Sequence, residues 1–192
     1  MANRRHRRSI RLRGYDYTQP GAYFVTVCTH QKQPIFGDVA DGTVQLNTFG
    51  QIVNTLWRRN AGASHRLALD AFTVMPNHLH AVIWILSGPD AAPSPSDADV
   101  ALTMPPDAGD TVDLGRSVTC KSGSLGAIVG SLKSVVTRRI HDVQHTREGI
   151  IWQRNYYERI VRTESELARI RGYILANPAR WAEDRFNEPM DF

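Results

Sequence analysis

The order of apolar and polar positions changes period several times along this chain, and each change predicts an element. Gly21 to His30 follows Pro20 and is rich in aromatic and β-branched residues, which predicts a first strand. Phe24, Thr26, Cys28 and His30 share one face of it, and Tyr23, Val25, Val27 and Thr29 the other. Apolar groups on both faces predict a central strand. Gln33 to Phe36 and Thr43 to Leu46 predict a short ribbon around the Gly37 and Asp41-Gly42 turns. Asn47 is placed to cap a helix ending near Asn60, with Phe49, Ile52, Val53, Leu56 and Trp57 at helical spacing and Arg58 and Arg59 in its last turn. Leu67 to Val74 and Leu79 to Leu86 predict two more strands, joined at Met75-Pro76-Asn77. Leu125 to His145 is the clearest helix, with Leu125, Ile128, Val129, Leu132, Val135, Val136 and Ile140 in one stripe and Ser124 as a cap. Ile150 to Val161 predicts a short strand with its connection. Thr163 followed by Glu166 is a capping-box pattern that opens a last helix through Leu167, Ile170, Tyr173 and Ile174 to Asn177. Pro178 ends or kinks that helix.

One strand start carries unusual chemistry. In extended chain, positions two apart share a face, so His78 and His80 stand side by side while Leu79 points the other way. Two neutral imidazoles are half of a metal site and need at least one further ligand. Taken alone, the pair has a second reading: one histidine at a strand end and the other a hydrogen-bonded core residue. Pro76 lacks an amide donor, which puts the histidines at the start of their strand.

Ser87 to Ser122 breaks the pattern. It is a Pro-, Asp-, Ala- and Ser-rich stretch with almost no large apolar residue, and it predicts a flexible insertion. Asp90, Asp97, Asp99, Asp107, Asp110 and Asp113 all fall in it. Without those six, 23 basic residues face 13 acidic ones, and 20 of the 23 are Arg, which suits bidentate phosphate contact. The balance points to a polyanionic partner or to an Arg preference of the genome. The N-terminal arm, residues 1–18, contains Arg4, Arg5, Arg7 and Arg8 and reads as a nucleic-acid contact or a solubilising tail. On the Leu125–His145 helix, Ser131, Ser134, Thr137, Arg138 and His141 lie away from the apolar stripe, with Lys133 and Arg139 at its flanks. That is a solvated face or a surface for phosphates and base edges.

The remaining composition excludes some classes. No apolar run approaches the roughly 20 residues of a membrane span, and the basic N-terminus lacks the apolar core of a signal peptide. Cys28 and Cys120 have no zinc-motif spacing and are too few for a disulfide framework, so the expectation is a reducing cytoplasm.

On the last helix, Tyr173 and Asn177 are four residues apart and share a face. As packing, Tyr173 extends the apolar stripe. Beside a metal it becomes a nucleophile, with Asn177 as a third ligand and Tyr156 and Tyr157 as rival nucleophiles. Four segments together, Pro76-Asn77-His78-Leu79-His80, Gly123 to Lys133, Trp152-Gln153-Arg154-Asn155-Tyr156-Tyr157-Glu158-Arg159 and Tyr173-Ile174-Leu175-Ala176-Asn177-Pro178, resemble the single-tyrosine HUH transposases. The subgroup they resemble most is the one associated with repetitive extragenic palindromes (REP).

The resemblance implies an α+β, ferredoxin-like fold with a central antiparallel sheet and helices packed on it, spanning residues 19–181. It implies a metal-dependent DNA transposase that nicks and rejoins single-stranded, hairpin-containing DNA through a 5′-phosphotyrosine, with Mg²⁺ or Mn²⁺ and no nucleotide cofactor. Tyr173 matches the nucleophile, His78 and His80 the metal pair, and Asn177 the position of a polar third ligand. Arg4, Arg5, Arg7, Arg8, Lys133, Arg138, Arg139 and Arg154 are the candidate DNA contacts. The expected partner is hairpin DNA in the cytoplasm or nucleoid, and a monomer is expected over a dimer. The tail, residues 182–192, either covers the site or stays off it. The competing function is a non-catalytic binder of hairpin DNA or RNA, and a third is a hydrolase with a metal-activated water.

Overall fold

In the computed structural model, residues 12, 14–63, 66–87, 121–184 and 186–187 are described. The Arg4, Arg5, Arg7 and Arg8 arm and nearly all of the 87–122 insertion lie outside them. The four main strands are β1 (Gly21–Cys28), β4 (Leu67–Val74), β5 (His78–Ile85) and β6 (Tyr157–Val161). They form one antiparallel sheet in the order β4-β5-β1-β6. With helices α1 (Thr48–Ala63) after β1 and α2 (Leu125–Gln144) after β5, this is the βαββαβ order of a ferredoxin-like sheet. The mixed α+β expectation holds.

β1 is central because both of its faces are apolar. Tyr23, Val25 and Val27 join Leu79, Ala81, Ile83 and Ile85 of β5 in one cluster with Val53 and Trp57 of α1 and Leu125, Val129, Leu132, Val136 and Ile140 of α2. Ala22, Phe24 and Val82 face the other way, onto Leu167, Ile170 and Ile174 of α3 (Glu164–Ala176). A third helix therefore covers the sheet face that α1 and α2 leave open.

Local chemistry sets the helix ends. Asn47 Oδ1 accepts from the amides of Phe49 and Gly50, Ser124 Oγ from Ala127, and Thr163 Oγ1 from Glu166. Glu166 reaches back to the amide of Arg162, one residue before the cap. Pro178 does not simply end the chain's helical course. A 3-10 turn, Pro178–Glu183, continues from α3 because proline is tolerated where no amide donor is needed. The small ribbon differs in register from the sequence expectation: β2 (Gly37–Ala40), not residues 33–36, pairs with β3 (Thr43–Leu46). Gly37 has φ 143°, and a Cβ there would collide with the carbonyl of Gln45, so this glycine sits inside the pairing instead of turning it.

β4 carries an irregularity between Leu69 and Phe72. There Asp70 accepts a two-pronged bond from Arg171 of α3, through Nε at 2.8 Å and a terminal nitrogen at 2.6 Å, plus bonds from Trp84 Nε1 and the Ala71 amide. The Arg171 hydrogen bonds, aided by Trp84 and Ala71, hold the Asp70 carboxyl down at about 2. A depressed carboxyl contributes stability that is full above its unfolded value and lost as pH falls through the folded one. Asp70→Asn is expected to flatten the loss of stability between pH 4 and 2, read from urea melts across that range.

Gly172 sits in the interior of α3, where an added Cβ would meet no atom within 4 Å. Gly172→Ala is expected to stabilise the fold by about 0.5–1 kcal/mol, since glycine there costs backbone entropy without a packing return. A rise in the thermal midpoint checks it.

Candidate active site

The site lies at the end of the sheet where β1 finishes and β5 begins, on the face covered by α3. Register places Cys28 opposite His78 and Thr26 opposite His80. Directly opposed residues share a face, so Thr26 Oγ1 meets His80 Nδ1 at 2.8 Å. Both histidines are buried, His78 fully and His80 to 1% exposure.

Asn77 fixes the first imidazole. Its Nδ2 donates to the carbonyls of Lys32 and Phe186, which turns Oδ1 onto His78 Nδ1 at 2.8 Å. An amide oxygen only accepts, so the His78 proton sits on Nδ1 and Nε2 presents its lone pair. That lone pair faces His80 Nε2 at 3.1 Å, and the same His80 nitrogen lies 3.2 Å from the Tyr173 hydroxyl. With His80 Nδ1 donating to Thr26 Oγ1, both Nε2 lone pairs turn to one space, and a cation shared by the two imidazoles would satisfy them. Adjacent ligands about 2.1 Å from one octahedral ion are about 3 Å apart, which matches the observed separation.

Further oxygens stand nearby. A carboxylate oxygen of Asp184 and the ring nitrogens of His78 and His80 all lie within 4.8 Å of one another. Asn177, 2% exposed, donates Nδ2 to Asp184 Oδ2 at 2.8 Å, while its buried Oδ1 has no hydrogen-bond partner among the described residues. A buried amide oxygen left this way is costly unless a donor or cation meets it. Nitrogen and oxygen donors of this kind suit Mg²⁺ or Mn²⁺ better than a thiolate-seeking metal.

Aromatic rings wall the cluster. Phe24 stacks on His80 at 5.5 Å and meets Tyr173 edge-on at 6.2 Å, and Tyr157 meets Phe24 edge-on at 6.1 Å. Phe186 lies 4.5 Å from the His78 ring and Trp181 6.0 Å. The segment after α3 therefore reaches the site, with Asp184 and Phe186 in it. Tyr173 is 41% exposed, open to solvent at the edge of a buried cluster.

The expected site residues divide accordingly. His78, His80 and Tyr173 come together, and Asn177 is tied to them through Asp184. Of the two rival tyrosines, Tyr157 packs its ring edge-on against Phe24. Arg138 and Arg139 are exposed on α2, in the helical layer on the opposite side of the sheet. Arg154 is exposed on the segment that joins the site end of β1, where Trp152 bridges Thr29 and the Gln153 amide bonds the Cys28 carbonyl. Lys133 was expected to face a nucleic acid. Its ammonium instead binds the carbonyls of Gln153 and Arg154 at 2.5 and 3.3 Å, and burial lowers it to about 8. It braces the segment that presents Arg154.

Asp184, Asn77 and Thr26 are the residues that sequence reasoning missed. Asn77 precedes His78 directly, and its position was the available signal. Asp184 gave none, because only folding of the 3-10 turn brings it back to β5.

No family model matches the chain. An uncharacterized protein of Haemophilus influenzae is 34% identical over 183 residues, covering 94% of this chain and 92% of its own length. Among solved structures, a REP-associated tyrosine transposase bound to a REP hairpin superposes with a TM-score of 0.55 at 16% identity, over 91% of this chain and 76% of that one. At this identity the likeness is one of fold. No helix among the described residues is long and apolar enough to cross a membrane.

Partners that orient ligating histidines are worth about 10- to 100-fold in metal affinity. Asn77→Ala is expected to weaken Mn²⁺ binding by about that factor. Isothermal titration of the DNA-free protein reads it.

Proposed function

For a chain that belongs to one family with the Haemophilus influenzae protein and has the fold of a REP-associated tyrosine transposase, we propose an HUH-type endonuclease and strand transferase. Its substrate is single-stranded DNA carrying a hairpin. The observation that carries this reading is the contact of the His78 and His80 imidazoles of β5 with each other at 3.1 Å and of His80 with the Tyr173 hydroxyl of α3 at 3.2 Å. A packing histidine pair has no need of a solvent-open tyrosine beside it.

His78 and His80, with Asp184 and the buried Asn177 oxygen, would hold Mg²⁺ or Mn²⁺, which when bound would polarise the scissile phosphate and neutralise its developing charge. The chain's own residues supply orientation and the nucleophile. Asn77 and Thr26 keep the imidazoles turned so that both Nε2 atoms face the same space. The Tyr173 oxygen forms a bond to phosphorus as the bond from phosphorus to the 3′ oxygen breaks. The phenol gives up its proton and the departing oxygen takes one up, ending as a 3′-hydroxyl. One ester replaces another, so the 5′-phosphotyrosine keeps the bond energy for rejoining and no nucleotide cofactor is needed.

Arg154, Arg138 and Arg139, with Arg4, Arg5, Arg7 and Arg8 of the arm, are assigned as contacts to the DNA backbone. The meeting of the histidine pair and Tyr173 within one chain supports action as a monomer.

With a labelled single-stranded hairpin and Mn²⁺, the wild type is expected to form a covalent adduct that survives denaturing electrophoresis. Tyr173→Phe and the double variant His78→Ala/His80→Ala should form none. Tight binding without cutting would favour the binding module, and cutting without an adduct that survives Tyr173→Phe would favour the hydrolase. An adduct that survives Tyr173→Phe would move the nucleophile to Tyr156 or Tyr157.

A further inference from the structure

α3 lies on the sheet through Leu167, Ile170 and Ile174, all buried against Ala22, Phe24 and Val82. Apolar contact of this kind fixes depth but not direction, since it is nearly indifferent to a small roll or slide of the helix. A tyrosine hydroxyl at the end of a long side chain magnifies such a roll. Something directional must hold α3 if Tyr173 is to stay 3.2 Å from His80.

The directional contact is two residues before the tyrosine. Arg171 grips both oxygens of Asp70 at 2.8 and 2.6 Å, and Trp84 Nε1 donates to the same carboxylate at 2.9 Å. The Ala71 amide adds a fourth bond at 2.7 Å. Asp70 thus ties β4, β5 and α3 together, with its side chain only 16% exposed. It stands where the pairing of β4 with β5 is interrupted between Leu69 and Phe72, so ladder regularity is given up where the carboxylate is aimed at α3. The planar fork of a guanidinium on a carboxylate fixes angle as well as distance. The other α3 ion pairs are weaker anchors: Arg159 with Glu166 meets through one close contact at the first turn, and Arg171 with Glu164 spans 3.3 Å on an exposed flank.

We propose that Asp70, Arg171 and Trp84 form a clamp that sets the direction of α3 and thereby delivers the Tyr173 hydroxyl to the histidine pair. Asp70 and Arg171 are positioning residues for the nucleophile. This rests on the reading of Tyr173 as the attacking group. Because the acid stays ionised far below neutrality, the clamp is closed throughout the physiological range.

The test compares Asp70→Asn, Arg171→Gln and Arg171→Lys with Leu167→Ala, which weakens the apolar seat of α3 and leaves the clamp intact. All are assayed below their melting temperatures on the metal-loaded full chain with a labelled hairpin. A misplacement of about 1 Å costs up to about 100-fold, so the clamp variants are expected to form adduct about 10- to 100-fold more slowly. Their affinities for the hairpin and for Mn²⁺ should stay near wild type. Arg171→Lys should recover part of the rate lost in Arg171→Gln, because it restores the charge without the fork. Leu167→Ala, even with an equal loss of thermal stability, should keep most of the rate. A rate that follows melting temperature alike in all four variants would overturn the proposal.

A second readout needs no catalysis. The Tyr173 and His80 rings, 5.1 Å apart, should show a nuclear Overhauser contact in wild type and Leu167→Ala that weakens in Asp70→Asn and Arg171→Gln. An unchanged contact would overturn the clamp. If the wild type shows the contact and its loss in the clamp variants but forms no adduct, the nicking reading fails and the clamp stands.

Discussion

The two-residue period of β5 is the constraint on which the site depends. It puts His78 and His80 on the α3 face and sends Leu79 and Ala81 into the α1/α2 core on the other. A one-residue slip would exchange the two sets, driving imidazoles into the apolar cluster and leucine into the site. Such a slip is opposed by buried residues on both sides, so the position of the histidine pair is held by the same packing that holds the domain together. The chemistry needs no loop for its first two groups. It is built on the best-buried strand pair of the sheet, which favours precision.

The second half of the site depends on a different kind of interaction. Tyr173 comes from a helix whose attachment is apolar and whose orientation is set by polar contacts to Asp70. Asn77 performs a similar service at the other end, with one carboxamide holding the His78 ring, the turn at Lys32 and the chain at Phe186. Buried polar contacts of this sort add little net stability, but they specify which of several similar packings is populated. In this protein they are concentrated where groups from distant elements must meet within hydrogen-bonding distance.

Much of this was legible in the sequence because it is local. Aromatic and β-branched residues from Gly21 to His30, apolar on both faces, marked the central strand, capping residues marked α2 and α3, and the spacing of His78 and His80 marked a shared face. The four motif segments added the partner of that pair, Tyr173, which spacing alone could not single out from Tyr156 and Tyr157. What escaped was non-local. Asp184 joins the cluster only because Pro178 continues the chain as a tight turn, and no pattern within residues 182–192 signals a return to β5. Lys133 looked like a surface cation because helical periodicity reports the face of a residue but not the reach of its side chain. Its long stem carries the ammonium to the carbonyls of a neighbouring segment. The ribbon register failed for the same reason, since Gly37 reads as a turn residue when its close approach to Gln45 is unseen.

The central claim is that the histidine pair is a divalent-ion site placed against a tyrosine nucleophile. Its most direct test is anomalous scattering from crystals of the DNA-free protein soaked in Mn²⁺. The account predicts one strong peak bonded to Nε2 of both His78 and His80, next to the Tyr173 hydroxyl. A saturating soak that leaves those two nitrogens without a peak, or that places the ion away from Tyr173, would contradict it.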